Sequence, residues 1–132
     1  MTEATNVQHW QTLTFHDADA MMAWLTAVGF REHATYRDEA DASLVVHAEW
    51  LWDGGGIMFG SVRPDGVVGN AGGSAAYLVS DDPDAWFDRA VAAGASIVRP
   101  MVDQDYGGRG GSVEDPEGNH WSFGSYQPGR AG

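Results

Sequence analysis

Asp17-Ala18-Asp19-Ala20-Met21-Met22-Ala23-Trp24-Leu25-Thr26-Ala27-Val28-Gly29 and Asp82-Pro83-Asp84-Ala85-Trp86-Phe87-Asp88-Arg89-Ala90-Val91-Ala92-Ala93-Gly94 are two versions of one segment. Asp17, Asp19, Ala20, Ala27 and Gly29 recur as Asp82, Asp84, Ala85, Ala92 and Gly94 at a constant offset of 65 residues. Each stretch reads as a complete helix. Asp17 and Asp82 are N-cap residues, whose carboxylates take up N–H groups that a first turn leaves unpaired. Asp19 and Asp84 put negative charge where the helix dipole favours it. Pro83 stands at the first helical position, where no N–H is needed. Met21, Leu25 and Val28 are spaced i, i+4 and i+7, the pattern of one buried face, and Trp86, Ala90 and Ala93 repeat it. Gly29 ends the first helix as a left-handed cap and Gly94 closes the second.

The flanking segments repeat too. Residues 10–15 alternate with period two and read as a strand. After the first helix come a strand at 30–37, a polar turn at 38–41, a strand at 43–51, a turn through Trp52, Asp53 and the glycines 54–56, and a strand at 57–62. Residues 63–73 form a connection containing Gly, Pro and Asn. The second half offers a strand at 74–79, its helix, a short strand at 96–99 and a loop at 100–105. It closes with a hairpin at 106–123, in which Asp115, Pro116, Glu117 and Gly118 make the turn. Each half is strand, helix and three strands. The expected fold is therefore α+β, two tandem βαβββ modules in a single domain, 1–132. Module one covers about 9–62, the linker 63–73 and module two 74–126, behind a flexible arm at 1–9.

With 132 residues, one domain with a modest core is expected. Hydrophobic residues make up 43%, the share of a folded protein rather than a disordered one. No apolar run approaches the roughly 18–20 residues of a membrane helix, and the first residues lack a leader's basic and apolar parts. A cytoplasmic protein with no membrane partner is expected. The absence of Cys removes disulfides, thiolate metal sites and Cys nucleophiles. The net charge is −12 and every basic residue is Arg. That excludes nucleic acid as an expected partner, and the lack of Lys excludes Schiff-base chemistry. The acidic surface either attracts a cationic ligand or simply keeps the protein soluble.

The tandem repeat resembles the vicinal oxygen chelate superfamily of glyoxalase I, bleomycin-resistance proteins and extradiol dioxygenases. Residues 17–30 are similar to its first helix and Gly-Phe ending. Val46, His47, Ala48 and Glu49, with Gly54, Gly55, Gly56, Ile57, Met58, Phe59 and Gly60, resemble strands of its phosphonate-cluster-like branch. Tyr106, Gly107, Arg109, Asp115, Pro116, Gly118, Asn119 and Trp121 resemble that branch's closing hairpin. The resemblance, over residues 10–126, implies modules that curl into half-cups around one ligand cavity. It also implies a homodimer, with half-cups from different subunits completing each cavity in many members.

Metalloenzymes of the superfamily place one ligand on each of four strands. Carried over singly, those positions fall on Trp10, on or beside Met58, on Ser74 and on Ser122. An indole, a thioether and two hydroxyls do not suit a divalent ion that wants His nitrogen or carboxylate oxygen. No metal and no other cofactor is therefore expected. Glyoxalase I and dioxygenase activity come into doubt with the Lewis acid they need. A displaced site of His9, His47, Glu49 and His120 is the alternative.

Strand parity puts His120 and Ser122 on the ligand face and turns Trp121 and Phe123 to the helix. His120 either serves a ligand as donor or acid/base, or bonds nearby backbone. Arg109 either clamps an anionic group or pairs with Glu114 or Asp115. Tyr106 either roofs the cavity or merely packs. His47 and Glu49 share a strand face and form either an acid/base dyad or a solvated pair. Trp24, Trp86 and Trp121 read as core or interface, whereas Trp10 offers an aromatic floor for a planar or cationic ligand.

The expected function is metal-free binding of a small, drug- or antibiotic-like molecule, as in bleomycin-resistance proteins. Trp10, Trp50, Met58, Ser74, Tyr106, Arg109, His120 and Ser122 would bind the ligand. The alternative is a glyoxalase-like lyase, isomerase or dioxygenase, with a displaced metal or with acid/base catalysis by His47, Glu49 and His120.

Overall fold

The computed structural model describes residues 7–63 and 71–129. Residues 1–6 of the expected arm and 64–70 of the expected linker lie outside the described residues. The chain forms two compact units, Met1–Gly73 and Ser74–Gly132. Unit one runs β1 (Trp10–Phe15), α1 (Ala18–Val28), β2 (Arg31–Arg37), β3 (Val45–Trp52) and β4 (Gly55–Ser61). Unit two runs β5 (Ala75–Val79), α2 (Pro83–Ala92), β6 (Ser96–Asp103), β7 (Arg109–Glu114) and β8 (His120–Gly124).

Both sheets have the same strand order, β1-β4-β3-β2 and β5-β8-β7-β6. In each unit the first strand lies parallel to the last, and the remaining pairs are antiparallel. A hairpin cannot join parallel strands, so the helix and two intervening strands make the crossover. This is an α+β architecture of two tandem βαβββ modules.

The caps follow the sequence. Asp17 accepts the Ala20 N–H at 3.0 Å, and Asp82 accepts that of Ala85 at 3.3 Å. Gly29, at φ 132°, gives its N–H to Leu25. Several boundaries differ from expectation, and three have a clear physical cause. β3 starts at Val45 rather than 43, because Ser43 is held in a turn by Asp41 through both its N–H and its hydroxyl. β4 starts at Gly55, since Trp52 pairs with Gly55 across Asp53 and Gly54, and only Gly54 needs a positive φ. β6 runs on to Asp103, through the expected loop at 100–105. It is an edge strand, where Pro100 does least harm, and register shifts on either side of Arg99 accommodate it.

In unit one, Leu13, Phe15, Ala48, Trp50, Ile57 and Phe59 share one sheet face and are buried. Phe59 meets Phe15 and Trp50 at centroid distances of 5.1 and 5.8 Å. Met21, Leu25 and Val28 of α1 are buried as well. In unit two, Phe87 and Ala90 of α2 are buried along with Leu78, Val113, Trp121 and Phe123. The Phe123 ring stacks on Trp86 of α2 at 6.2 Å.

A polar hub supports this second core. Asp115 is 3% exposed. Its carboxylate accepts from the Glu117 and Asn119 backbone N–H groups, the Asn119 amide and the Trp121 indole N–H at 2.9 Å. Each bond satisfies a group that would otherwise carry a desolvation cost.

Candidate functional site

Strand alternation gives each sheet a second face, opposite its apolar one. In unit one it carries Trp10, Thr12 and Thr14 from β1, His47 and Glu49 from β3, and Met58 from β4, with Thr12 opposite Met58 and Glu49 also opposite Met58. Gly56 stands opposite Trp10, and any Cβ there would strike the indole ring. The glycine thus lets Trp10 lie flat on the strand. A recess of about 190 Å³ is lined by Thr12, Thr14, His47, Met58, Gly60 and Arg63, among others.

His47 Nε2 lies 2.8 Å from Glu49 Oε2. A carboxylate only accepts, so Nε2 carries the proton and Nδ1 is left as the basic nitrogen. Tyr36 stacks on the imidazole at 6.3 Å. Trp50 belongs to the other face: it is 4% exposed and gives its indole N–H to Thr35. The expected ligand set places Trp50 with Trp10 and Met58, but its odd spacing from Glu49 turns it into the core.

In unit two the corresponding face carries Tyr77, Ser112 and Ser122 in one cross-strand row and Ala75, Glu114 and His120 in the next. Ser112 and Ser122 are 2.7 Å apart, and Arg99 gives a hydrogen bond to Ser112 at 3.2 Å. His120 pairs with the Glu114 side chain at 3.3 Å, rather than with backbone. Ser74 lies just before β5, where its backbone bonds Asn119 and His120.

Arg109 pairs with neither Glu114 nor Asp115. It forks onto Asp84 of α2 at 2.8 and 3.1 Å and reaches Asp103 at 3.4 Å. The Asp84 hydrogen bonds hold the guanidinium pKa above its usual value and, in return, the Asp84 carboxyl below its own. The anion held by Arg109 is thus a residue of the chain itself. Tyr106 is exposed and meets Tyr126 edge-on at 5.2 Å. Burial, helped by Tyr106 and Tyr126, raises the pKa of the Tyr77 hydroxyl, which donates to the Tyr126 carbonyl at 2.6 Å.

Thr12, Tyr77, Arg99 and Ser112 were absent from the sequence-based set. The first two follow from strand register, which pairs Thr12 with Met58 and Tyr77 with Ser122. The four-residue turn 115–118 alone would set Ser112 opposite Trp121; the observed pairing of Glu114 with His120 adds one residue to the connection and brings Ser112 opposite Ser122. Arg99 was hidden by ending its strand there.

The superfamily's metal implies nitrogen or carboxylate ligands, and the side chains at the four positions do not fit it. Trp10 and Met58 in unit one supply an indole and a thioether; Ser74 and Ser122 in unit two supply hydroxyls. Among the described residues no group of three or more His, Cys, Asp or Glu is placed to hold a metal ion.

Comparison with known proteins agrees with the architecture. The family model of the Glyoxalase/Bleomycin resistance protein/Dioxygenase superfamily matches residues 7–123. The crystal structure of TioX from Micromonospora sp. ML1 is similar, with a TM-score of 0.70 and 32% identity over 91% of this chain and 100% of that one. FosX, a fosfomycin resistance protein from Listeria monocytogenes crystallised with manganese(II) and a dihydroxypropylphosphonic acid, has a TM-score of 0.65 at 16% identity. That match covers 93% of this chain and 94% of FosX, a likeness of fold alone. A 48-residue stretch is 50% identical to an uncharacterized protein of Mycobacterium bovis, covering 36% of this chain and 32% of that one. The chain thus spans about a third of the length of the curated relatives it matches. No helix among the described residues is long and apolar enough to cross a membrane.

Proposed function

The chain belongs to the glyoxalase/bleomycin resistance protein/dioxygenase superfamily, and from that premise we propose that it binds a small, planar organic molecule without a metal, in the manner of the bleomycin-resistance branch. One observation carries the reading: Met58 lines the recess of unit one, and Trp10 lies on the same sheet face two residues before Thr12, which also lines it, so a thioether and an aromatic ring stand where a metalloenzyme would put ligands. An indole held flat by Gly56 offers a stacking surface, and a thioether adapts to varied apolar shapes. Identity of 32% with TioX over nearly the whole chain supports the family, and the ligand class is our inference. The proposal includes a homodimer, checked by sedimentation.

The test is tryptophan fluorescence against a panel of planar cationic and neutral compounds, with metal analysis of the same sample. A ligand that quenches the wild type, with quenching lost in Trp10→Ala, is the expected result. Quenching that survives Trp10→Ala removes the residue from the site, and a stoichiometric bound metal ends the metal-free reading.

The hydrogen-bonded His47–Glu49 pair favours a second reading, acid/base catalysis on the same face, with Nδ1 of His47 taking a proton and Glu49 holding the ring. Metal-independent turnover abolished by His47→Ala supports it; turnover indifferent to that change ends it.

A further inference from the structure

Arg99 stands out in so acidic a chain. Arg31, Arg37, Arg63 and Arg109 each have a carboxylate within 4 Å. Arg99 has none among the described residues; its side chain is tied to the hydroxyl of Ser112. Ser112 is 5% exposed, and its hydroxyl lies 2.7 Å from that of half-buried Ser122. A guanidinium only donates, so Ser112 accepts from Arg99 and passes its own hydrogen to Ser122. In the opposite order Ser112 would accept from both neighbours, and its own hydrogen would find no acceptor among the side-chain bonds it makes in the described residues. The chain of bonds therefore ends with an outward O–H at Ser122, beside a cation with N–H groups to spare.

The surroundings are shaped for a small group. Gly110 and Gly124 form the next cross-strand row and put no side chain on this face. The Tyr77 ring lies over Gly124, where any Cβ would strike it, and Tyr77 is anchored through its hydroxyl to Tyr126. Arg99, Ser122, Tyr77, Tyr106 and Tyr126 share a recess of about 20 Å³, room for a head group and not for a whole ligand.

We propose that Arg99 and Ser122 form an anion site for the carboxylate of an aryl carboxylic acid, whose ring rests on the neighbouring tyrosines. A planar carboxylate takes one oxygen to the guanidinium and one to the Ser122 hydroxyl, a charge-assisted pair of bonds. The tyrosines supply aromatic area with little side-chain entropy to lose. Every residue of the site belongs to unit two.

The test is calorimetric titration with naphthoate, with naphthamide as the uncharged isostere and naphthylphosphonate as the tetrahedral one. The wild type is expected to bind naphthoate with a Kd of about 1 mM or tighter. Naphthamide and naphthylphosphonate should bind more weakly. Arg99→Gln should weaken naphthoate at least about tenfold and Ser122→Ala several-fold, as loss of hydrogen bonds to a charged group requires. Arg99→Lys should fall between, and Trp10→Ala should change nothing, which separates this site from the one proposed above. Arg99 is exposed, so its variants should keep the wild-type melting temperature. No heat at about 10 mM ligand, equal binding of naphthamide, or unchanged affinity in Arg99→Gln overturns the proposal. Tighter binding of naphthylphosphonate overturns the carboxylate assignment.

Discussion

The two units have the same strand order but are held together by different means. Unit one closes over hydrocarbon and rings: Phe15, Phe59 and Trp50 touch in series, and α1 buries Met21, Leu25 and Val28 completely or nearly so. Unit two has fewer large apolar residues and a charged group at its base, the Asp115 carboxylate under Trp121. A core of rings tolerates rearrangement at modest cost, whereas a carboxylate serving several buried donors tolerates almost none. One topology thus accepts two solutions, one set by volume and the other by hydrogen-bond direction.

The largest test of this contrast is Phe59→Ala, which removes the ring joining Phe15 to Trp50. It should cost about 3–5 kcal/mol, read by urea denaturation, and amide exchange should rise first in β3 and β4. Next is Asp115→Ala, which strands the Trp121 and Asn119 donors and should cost about 3 kcal/mol. Here exchange should rise first in β7 and β8; equal loss of protection in both units from either change would break the comparison.

Gly56→Ala and Gly124→Ala come third. Each puts a methyl group into an aromatic ring, Trp10 in one case and Tyr77 in the other, and should cost about 1–3 kcal/mol as overpacking. Gly56→Ala should also shift the tryptophan emission, and Gly124→Ala should leave it unchanged.

The smallest effect is expected from Arg109→Ala, which releases Asp84 on the surface of unit two. The folded-state pKa of Asp84 is lowered, so its contribution is present above the ordinary carboxylate value and is lost as pH falls through the lower folded value. The raised pKa of Arg109 adds a contribution lost only at extreme alkaline pH. Wild type and variant should therefore differ slightly in melting temperature at neutral pH and converge in acid. A gap that persists at the lowest pH would show that Arg109 acts by packing.

Local signals made the fold readable. Asp17 and Gly29, repeated as Asp82 and Gly94, bracket both helices because capping depends on groups a few residues apart. Period two assigned β1 to the residue. Edge effects were less visible: Pro100 argues against a strand, and only the position of β6 at the sheet edge explains why one forms. The site was legible in kind but not in pairing. Two-residue spacing put His47 beside Glu49, and the same rule would have turned Trp50 inward. For Arg109 the sequence offers a ligand anion or the nearby Glu114 or Asp115, yet its partner is Asp84 on α2. No periodicity relates those two residues, because their meeting depends on how α2 crosses β7.

The parallel pairing of first and last strands has a consequence for the order in which the protein takes shape during synthesis. Within the described residues of each unit, β1 has β4 as its one strand neighbour and β5 has β8. The ribosome must therefore release Ser61 before the opening strand of the first unit can dock. The second unit has to wait for His120–Gly124 while β5 stands as an open edge. Such delayed, long-range closure is slow and leaves a strand available to the wrong partner. Both nascent units share this delay, so a holding chaperone would serve either of them while its opening strand waits.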